Sequence, residues 1–198
     1  MTPELLIALF LFALVSSITP GPNNLMLMTS GVNFGFRRTV PHMLGVALGF
    51  TLMVALVGIG LIQVFDIYPI SYDILKVCSV LYLLFLAYKI ANAAAPKSKG
   101  EAGGKPFTFL QAALFQWVNP KAWTMALTAS AVYSPTHTIA ASTLVACVFG
   151  IVNLPAISVW TLLGTRVRAL LTNARRLKVF NYTMALLLVM SLYPVVFS

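Results

Sequence analysis

Six apolar stretches, at roughly 4–29, 40–65, 70–90, 107–133, 138–163 and 179–197, take up most of this chain. Each has room for the roughly 17–25 helical residues that cross a bilayer. Composition points the same way. Of 198 residues, 60% are hydrophobic and 9% charged, where a soluble domain carries roughly 25% charged residues. The expectation is an all-α membrane protein with six transmembrane helices. The first stretch has Glu4 and no Lys or Arg before it, and it runs into TPGPNN rather than a small-residue cleavage site. It therefore reads as a retained span, not a signal peptide.

The net charge of +9 would suit nucleic acid only if the basic residues shared one solvated face. They fall instead in the gaps between apolar runs. Arg37 and Arg38 lie in the first gap, and Lys89, Lys97, Lys99 and Lys105 in or beside the third. Arg166, Arg168, Arg175, Arg176 and Lys178 lie in the fifth. These are all but Lys76 and Lys121 of the 13 basic residues, and they share one side of an alternating six-span path. The positive-inside rule makes that side cytoplasmic and places both termini outside. The charge thus marks topology and contact with anionic lipid, with no nucleic-acid partner.

The stretch 91–106, ANAAAPKSKGEAGGKP, reads as a flexible cytoplasmic linker. It divides one transmembrane domain, 1–198, into halves of about 1–90 and 107–198. Pro20 corresponds to Pro120, Gly49 to Gly150 and Tyr82 to Tyr182, all offset by about 100 residues, as an internal duplication gives. Three spans per half forces the second half to lie inverted. The expected architecture is two inverted three-helix repeats, the first helix of each broken by proline.

Thr19-Pro20-Gly21-Pro22-Asn23-Asn24 is the first break. Proline removes a backbone donor and clashes with the preceding turn, so the span becomes two half-helices with polar backbone at membrane depth. The carbonyl end of the first favours a cation and the N–H end of the second favours an anion. A free amino acid carries one of each. A proline kink that only shapes packing is the plainer alternative. The second break, Gln116 to Lys121, repeats the Asn/Pro pairing as Asn119-Pro120. Lys121 is the one charge well inside a span, and no acidic residue within a span faces it. Freed carbonyls at Pro120, Asn23 or Asn24, or a substrate carboxylate, are its expected partners. The competing reading has Lys121 snorkelling to the cytoplasmic surface.

The candidate substrate site is therefore Pro20, Gly21, Pro22, Asn23, Asn24, Asn119, Pro120 and Lys121. Asn153-Leu154-Pro155 reads equally as pathway lining or as a packing kink. Gly45, Gly49, Gly58 and Gly60 mark the second span as a close-packing helix, and Gly45-x-x-x-Gly49 suits a homo-oligomer as well as an intrachain contact. Cys78 and Cys147 read as buried free thiols. The sequence calls for no enzyme, cofactor or metal: it has no metal-ligand cluster, no Gly-rich nucleotide loop and no catalytic triad.

ITPGPNNLMLMTSGVNFGFRRTVPHMLGVALGF and, beyond the linker, FLQAALFQWVNPKAW resemble the lysine exporter/homoserine-threonine exporter (LysE/RhtB) superfamily of bacterial amino-acid exporters. The resemblance spans essentially the whole chain. It implies a multi-pass protein of the bacterial inner (plasma) membrane that exports amino acids or close derivatives, driven by the proton gradient. The PGPNN form is more similar to the branch handling homoserine, threonine and cysteine than to the lysine/arginine branch. The residues bear on that choice independently. None of Glu4, Asp66, Asp73 or Glu101 lies mid-span to meet a second positive charge, so the expected substrate has no net charge. The same absence leaves His42, Lys121 or the substrate itself as the carrier of a coupled proton. Rival readings are transport of another small solute such as a metal ion, a non-transporting scaffold, and uptake in place of export.

Overall fold

The computed structural model describes residues 1–61, 63–93, 105–134, 138–171 and 173–196, and among them every regular element is helical. The linker expected over 91–106, with Lys97, Lys99 and Glu101, falls mostly outside the described residues. The first apolar stretch forms α1 (Pro3–Ile18) and α2 (Pro22–Phe34), bent by 53° at the break. The second forms α3 (Phe36–Leu56), which continues through a π turn, Val57–Leu61, to the short α4 (Gln63–Ile67). The third is α5 (Ile70–Ala91). The fourth divides into α6 (Phe109–Phe115), a 3-10 turn (Gln116–Val118) and α7 (Pro120–Tyr133). The fifth is α8 (Ile139–Arg168), and the last forms α9 (Ala174–Met190) and α10 (Tyr193–Val196). By length and apolarity, Phe36–Leu61, α5 and α8 can each cross a membrane, and the bent pair α1–α2 makes a fourth span if counted as one.

Local sequence explains where these helices begin and end. Thr2 caps α1, its hydroxyl accepting from Leu5 N–H at 3.3 Å, and Pro3 fills the first-turn position whose N–H has no helical partner anyway. Thr108 and Gln111 form a reciprocal capping box at α6. Gly35, at φ 81°, turns the chain from α2 into α3, a left-handed conformation that glycine adopts without penalty. Gly60, at φ 119°, ends the second span's helix. It was expected to pack with Gly45, Gly49 and Gly58, but it terminates the helix instead.

α2 sits at the centre. Ten of its 13 residues are buried, so it is enclosed on nearly all sides, by α3, α8 and α9. Small residues allow this. A Cβ on Gly31 would collide with the Thr161 backbone, and one on Gly164 with the Met28 carbonyl. α2 and α8 therefore meet backbone to backbone, the contact that small residues permit between membrane helices. Gly45 and Gly49 do the same for α3 against Phe109, Ala112 and Ala113 of α6. That pair is used inside the chain, which removes the reading that it serves a second copy. α1 packs on α8, α6 on α3, α3 on α8 and α5 on α9.

Outward faces are as apolar as the core. Leu6, Ile7, Phe10 and Val15 of α1 and Ile151 and Leu162 of α8 are exposed, as helices immersed in hydrocarbon require. Cys78 and Cys147 are also exposed, against the expectation of burial. A helix that is apolar all round does not reveal which face meets protein and which meets lipid.

Candidate functional site

The two breaks meet. α1 ends at Ile18, Thr19 and Pro20 continue extended or turned, and Pro22 starts α2 as its first residue. At the second break α6 tightens into one 3-10 turn, Asn119 is extended (φ −93°, ψ 108°), and Pro120 starts α7. Each proline stands where its missing N–H costs nothing, while the residue before it is pushed out of the helical region.

Broken helices free carbonyls, and each must be satisfied. Ser16 O accepts from the Thr19 hydroxyl at 3.0 Å. Ser17 O and Thr19 O accept from Asn24 Nδ2 at 2.9 and 2.7 Å. Ile18 O accepts from Trp160 Nε1 at 3.0 Å. Lys121 Nζ donates to Thr19 O at 2.7 Å, to Thr19 Oγ1 at 2.9 Å and to Pro20 O at 3.3 Å. The cation of the second break thus caps the carbonyl end of the first, where the helix dipole favours positive charge. The expected carbonyl partners at Pro120, Asn23 and Asn24 are replaced by Thr19 and Pro20, because α7 crosses the end of α1. A Cβ on Gly21 would lie 2.6 Å from Lys121 Cδ, so glycine there makes room for the lysine arm.

Between the breaks lies a cavity of about 30 Å³, lined by Ser17, Gly21, Asn23, Asn24, Asn119 and Lys121 among others. That is room for about two waters. Phe50 of α3 and Asn153 of α8 complete the wall, and each sits near the midpoint of its helix. Of the predicted residues, Gly21, Asn23, Asn24, Asn119 and Lys121 line the cavity. Pro20, Pro22 and Pro120 frame it without lining it. Asn153 resolves toward the wall of the cavity. Ser17, Phe50 and Trp160 were not anticipated. Ser17 carried a usable signal, since it lies one turn before the break, whereas nothing local points Trp160 at Ile18.

The cavity has chemistry of both signs. Asn119 Oδ1 and Ser17 Oγ are buried acceptors without a partner. Neither α2 nor α7 has a side-chain cap at its N-terminus. In α7 the Asn119 carbonyl takes the Ala122 N–H at 3.0 Å, so the uncapped first-turn N–H groups are those of Asn23 and Asn24 at the start of α2. Asn23 and Gln116 close one side as a reciprocal amide pair, Nδ2 to Oε1 at 2.8 Å and Nε2 to Oδ1 at 3.2 Å. The Gln116 side chain is fully buried.

A family model described as LysE type translocator matches residues 14–191. The chain belongs to the LysE type translocator family. This translocator chain is also 34% identical over 123 residues to cysteine/O-acetylserine efflux proteins of Escherichia coli K12 and Shigella sonnei Ss046. Those alignments cover 61% of this chain and 61% of the length of each relative. No solved structure matches. With its exposed apolar helices, the translocator is a multi-pass membrane protein.

Proposed function

We propose that the chain exports neutral amino acids or close derivatives across the bacterial plasma membrane, binding them between the two breaks. The observation that carries this is the convergence of both breaks on one cavity with acceptors and donors suited to the two ends of an amino acid. The substrate ammonium meets Asn119 Oδ1 and Ser17 Oγ. Its carboxylate meets the Asn23 and Asn24 N–H groups that open α2, with the Lys121 charge beside it. All three Lys121 donors are already engaged, so the lysine fixes the field of the site, and the substrate displaces at most its longest bond, to Pro20 O. A cavity of about 30 Å³ is too small for an amino acid, so binding separates the two breaks.

Several observations support the finer parts of this reading. The lining contains no Asp or Glu, which suits a substrate without net charge. Cysteine and O-acetylserine, in the relatives' names, are such substrates. Among the described residues the lining holds no carboxylate, thiolate or imidazole to bind a transition metal, and the Lys121 ammonium repels a cation. The inverted six-span architecture is supported by the helix contacts. Exchanging halves takes α1 to α6, α2 to α7, α3 to α8 and α5 to α9. The α1–α8 and α2–α8 contacts then become α6–α3 and α7–α3, while α3–α8 and α5–α9 map onto themselves, and all of these contacts occur. Phe50 and Asn153 support a site near mid-membrane, as inverted-repeat transporters have. The basic loops support a cytoplasmic side that leaves both termini outside, and coupling to the proton gradient completes the proposal.

The test is to load proteoliposomes with cysteine, O-acetylserine, threonine, homoserine, lysine and arginine, and to measure release with and without a pH gradient. Neutral substrates should leave, and faster with the gradient. Preferential release of lysine or arginine would overturn the substrate class, and indifference to the gradient would overturn the coupling.

A further inference from the structure

A second and larger cavity, about 650 Å³, lies between α2, α3, α5 and the start of α6. It is within the range of about 300–1,000 Å³ typical of small-molecule sites. Thr29, Ser30 and Asn33 of α2 and His42 of α3 form its polar wall, and Lys89 and Lys105 lie at its rim. Both lysines are exposed, and they belong to the basic side of the chain.

The Thr29 and Ser30 hydroxyls of this wall are bonded within the fold, but His42 and Asn33 keep unpaired atoms. His42 is 2% exposed, and neither ring nitrogen has a hydrogen-bond partner. Its ring is held against Phe107, with centroids 5.3 Å apart. Asn33 donates to Thr29 O at 2.9 Å and to Asn181 Oδ1 at 3.4 Å, yet its own Oδ1 is unpartnered. A buried imidazole brings a donor and an acceptor, and buried groups of this kind are satisfied by protein, water or ligand. Among the described residues the lining holds no carboxylate.

The two cavities share one face of α2. Asn23, Met26, Ser30 and Asn33 follow the helical three-and-four spacing. Asn23 lines the small cavity, while Met26, Ser30 and Asn33 line the large one. What divides them is the Asn23–Gln116 amide pair and the apolar cluster containing Met26 and Phe115.

Resting on the exporter reading, we propose that the His42 cavity is a second binding site for the same neutral amino acid, a vestibule on the basic side that loads the central cavity. The carboxylate faces Lys89 and Lys105 at the rim. The ammonium faces Asn33 Oδ1 and the unprotonated nitrogen of His42. Passage inward requires opening of the Asn23–Gln116 pair.

The experiment uses the full chain in proteoliposomes, with Cys78→Ala and Cys147→Ala as the parent background and Ile90→Cys placing a thiol on the vestibule wall. The probe is whichever of O-acetylserine, threonine and homoserine the parent releases fastest, because free cysteine would itself consume the thiol reagent. It should slow modification of the introduced thiol by a methanethiosulfonate reagent, and still do so when Lys121→Gln disables the central cavity. His42→Leu and the exposed Lys89→Gln should each raise the half-saturation concentration for export about fivefold or more, with the maximal rate within about twofold. A parent that exports while the thiol is unprotected and both half-saturation values stay unmoved overturns the vestibule alone, leaving the cavity to water or lipid. Protection that disappears with Lys121→Gln also overturns it, since one site then accounts for both effects. A parent that exports nothing removes the exporter reading and the vestibule together.

Discussion

Lys121 Nζ lies 2.7 Å from the carbonyl oxygen of Thr19, a residue 102 positions earlier in the chain. This bond ties the first proline break to the second. It also shows how Lys121 is held with no acidic partner among the described residues, because the negative end of a half-helix takes that place. Lys121→Met should lower the initial export rate by about ten- to a hundredfold, the equivalent of losing a charged hydrogen bond worth about 1.5–3 kcal/mol. The measurement is initial efflux per folded protein, with folding judged by a monodisperse elution profile. A rate equal to the parent's would place Lys121 outside the transport path.

Gly21→Ala tests the same arrangement from the other side. The added methyl would sit 2.6 Å from Lys121 Cδ, and the flexible lysine arm gives way before the backbone does. Thermal stability should change by less than about 1 kcal/mol, while export falls. Combining Gly21→Ala with Lys121→Met should be no worse than Lys121→Met alone, because two changes acting through one contact are not additive. Additive losses would show that the glycine acts by another route.

Asn24 and Asn119 should separate stability from transport. Asn24→Ala strips the donor from two carbonyls, Ser17 O and Thr19 O, at about 1–3 kcal/mol for each group left buried and unpaired. Thr19 O keeps Lys121, so the cost falls mainly on Ser17 O, and the melting temperature in detergent should drop along with export. Asn119→Ala removes an acceptor that has no partner, so stability should hold or rise while export drops at least tenfold. Equal destabilisation by both would argue that Asn119 is structural.

Gly164→Val should prevent assembly. Its Cβ would strike the Met28 carbonyl and approach Val32 N at 3.1 Å, and backbone cannot step aside as a side chain can. Overpacking costs typically about 1–3 kcal/mol, and here it separates α8 from the buried central helix. Folded protein recovered from membranes should fall severalfold, with Gly58→Ala, which meets only the Ser142 residue at 2.8 Å, affected less. Normal recovery of Gly164→Val would mean that α2 and α8 tolerate a wider separation.

Much of the path was readable before any coordinates. Each apolar stretch coincides with a helix or a helix pair, since the length of an apolar run and the position of a proline act locally. Pro22 and Pro120 start helices where the sequence placed breaks. Gly60 was misread because a glycine that packs and a glycine that ends a helix look alike in an apolar run. The cysteines were misread because burial depends on which neighbours a helix acquires.

The sequence by itself determined that the chain is helical and membrane-bound, that two of its apolar stretches are interrupted, and which polar groups each interruption carries. Those properties follow from hydrophobic length, from the missing proline donor and from residue chemistry, none of which needs a partner. Only the tertiary structure decided that Lys121 caps Thr19 and Pro20, that Trp160 satisfies Ile18, and that Asn153 and Phe50 close the cavity. Those are meetings between groups more than a hundred or a few tens of residues apart. Their pairing depends on where helices cross, and that is set by backbone contacts such as Gly31 with Thr161 and Gly164 with Met28, which no local pattern encodes.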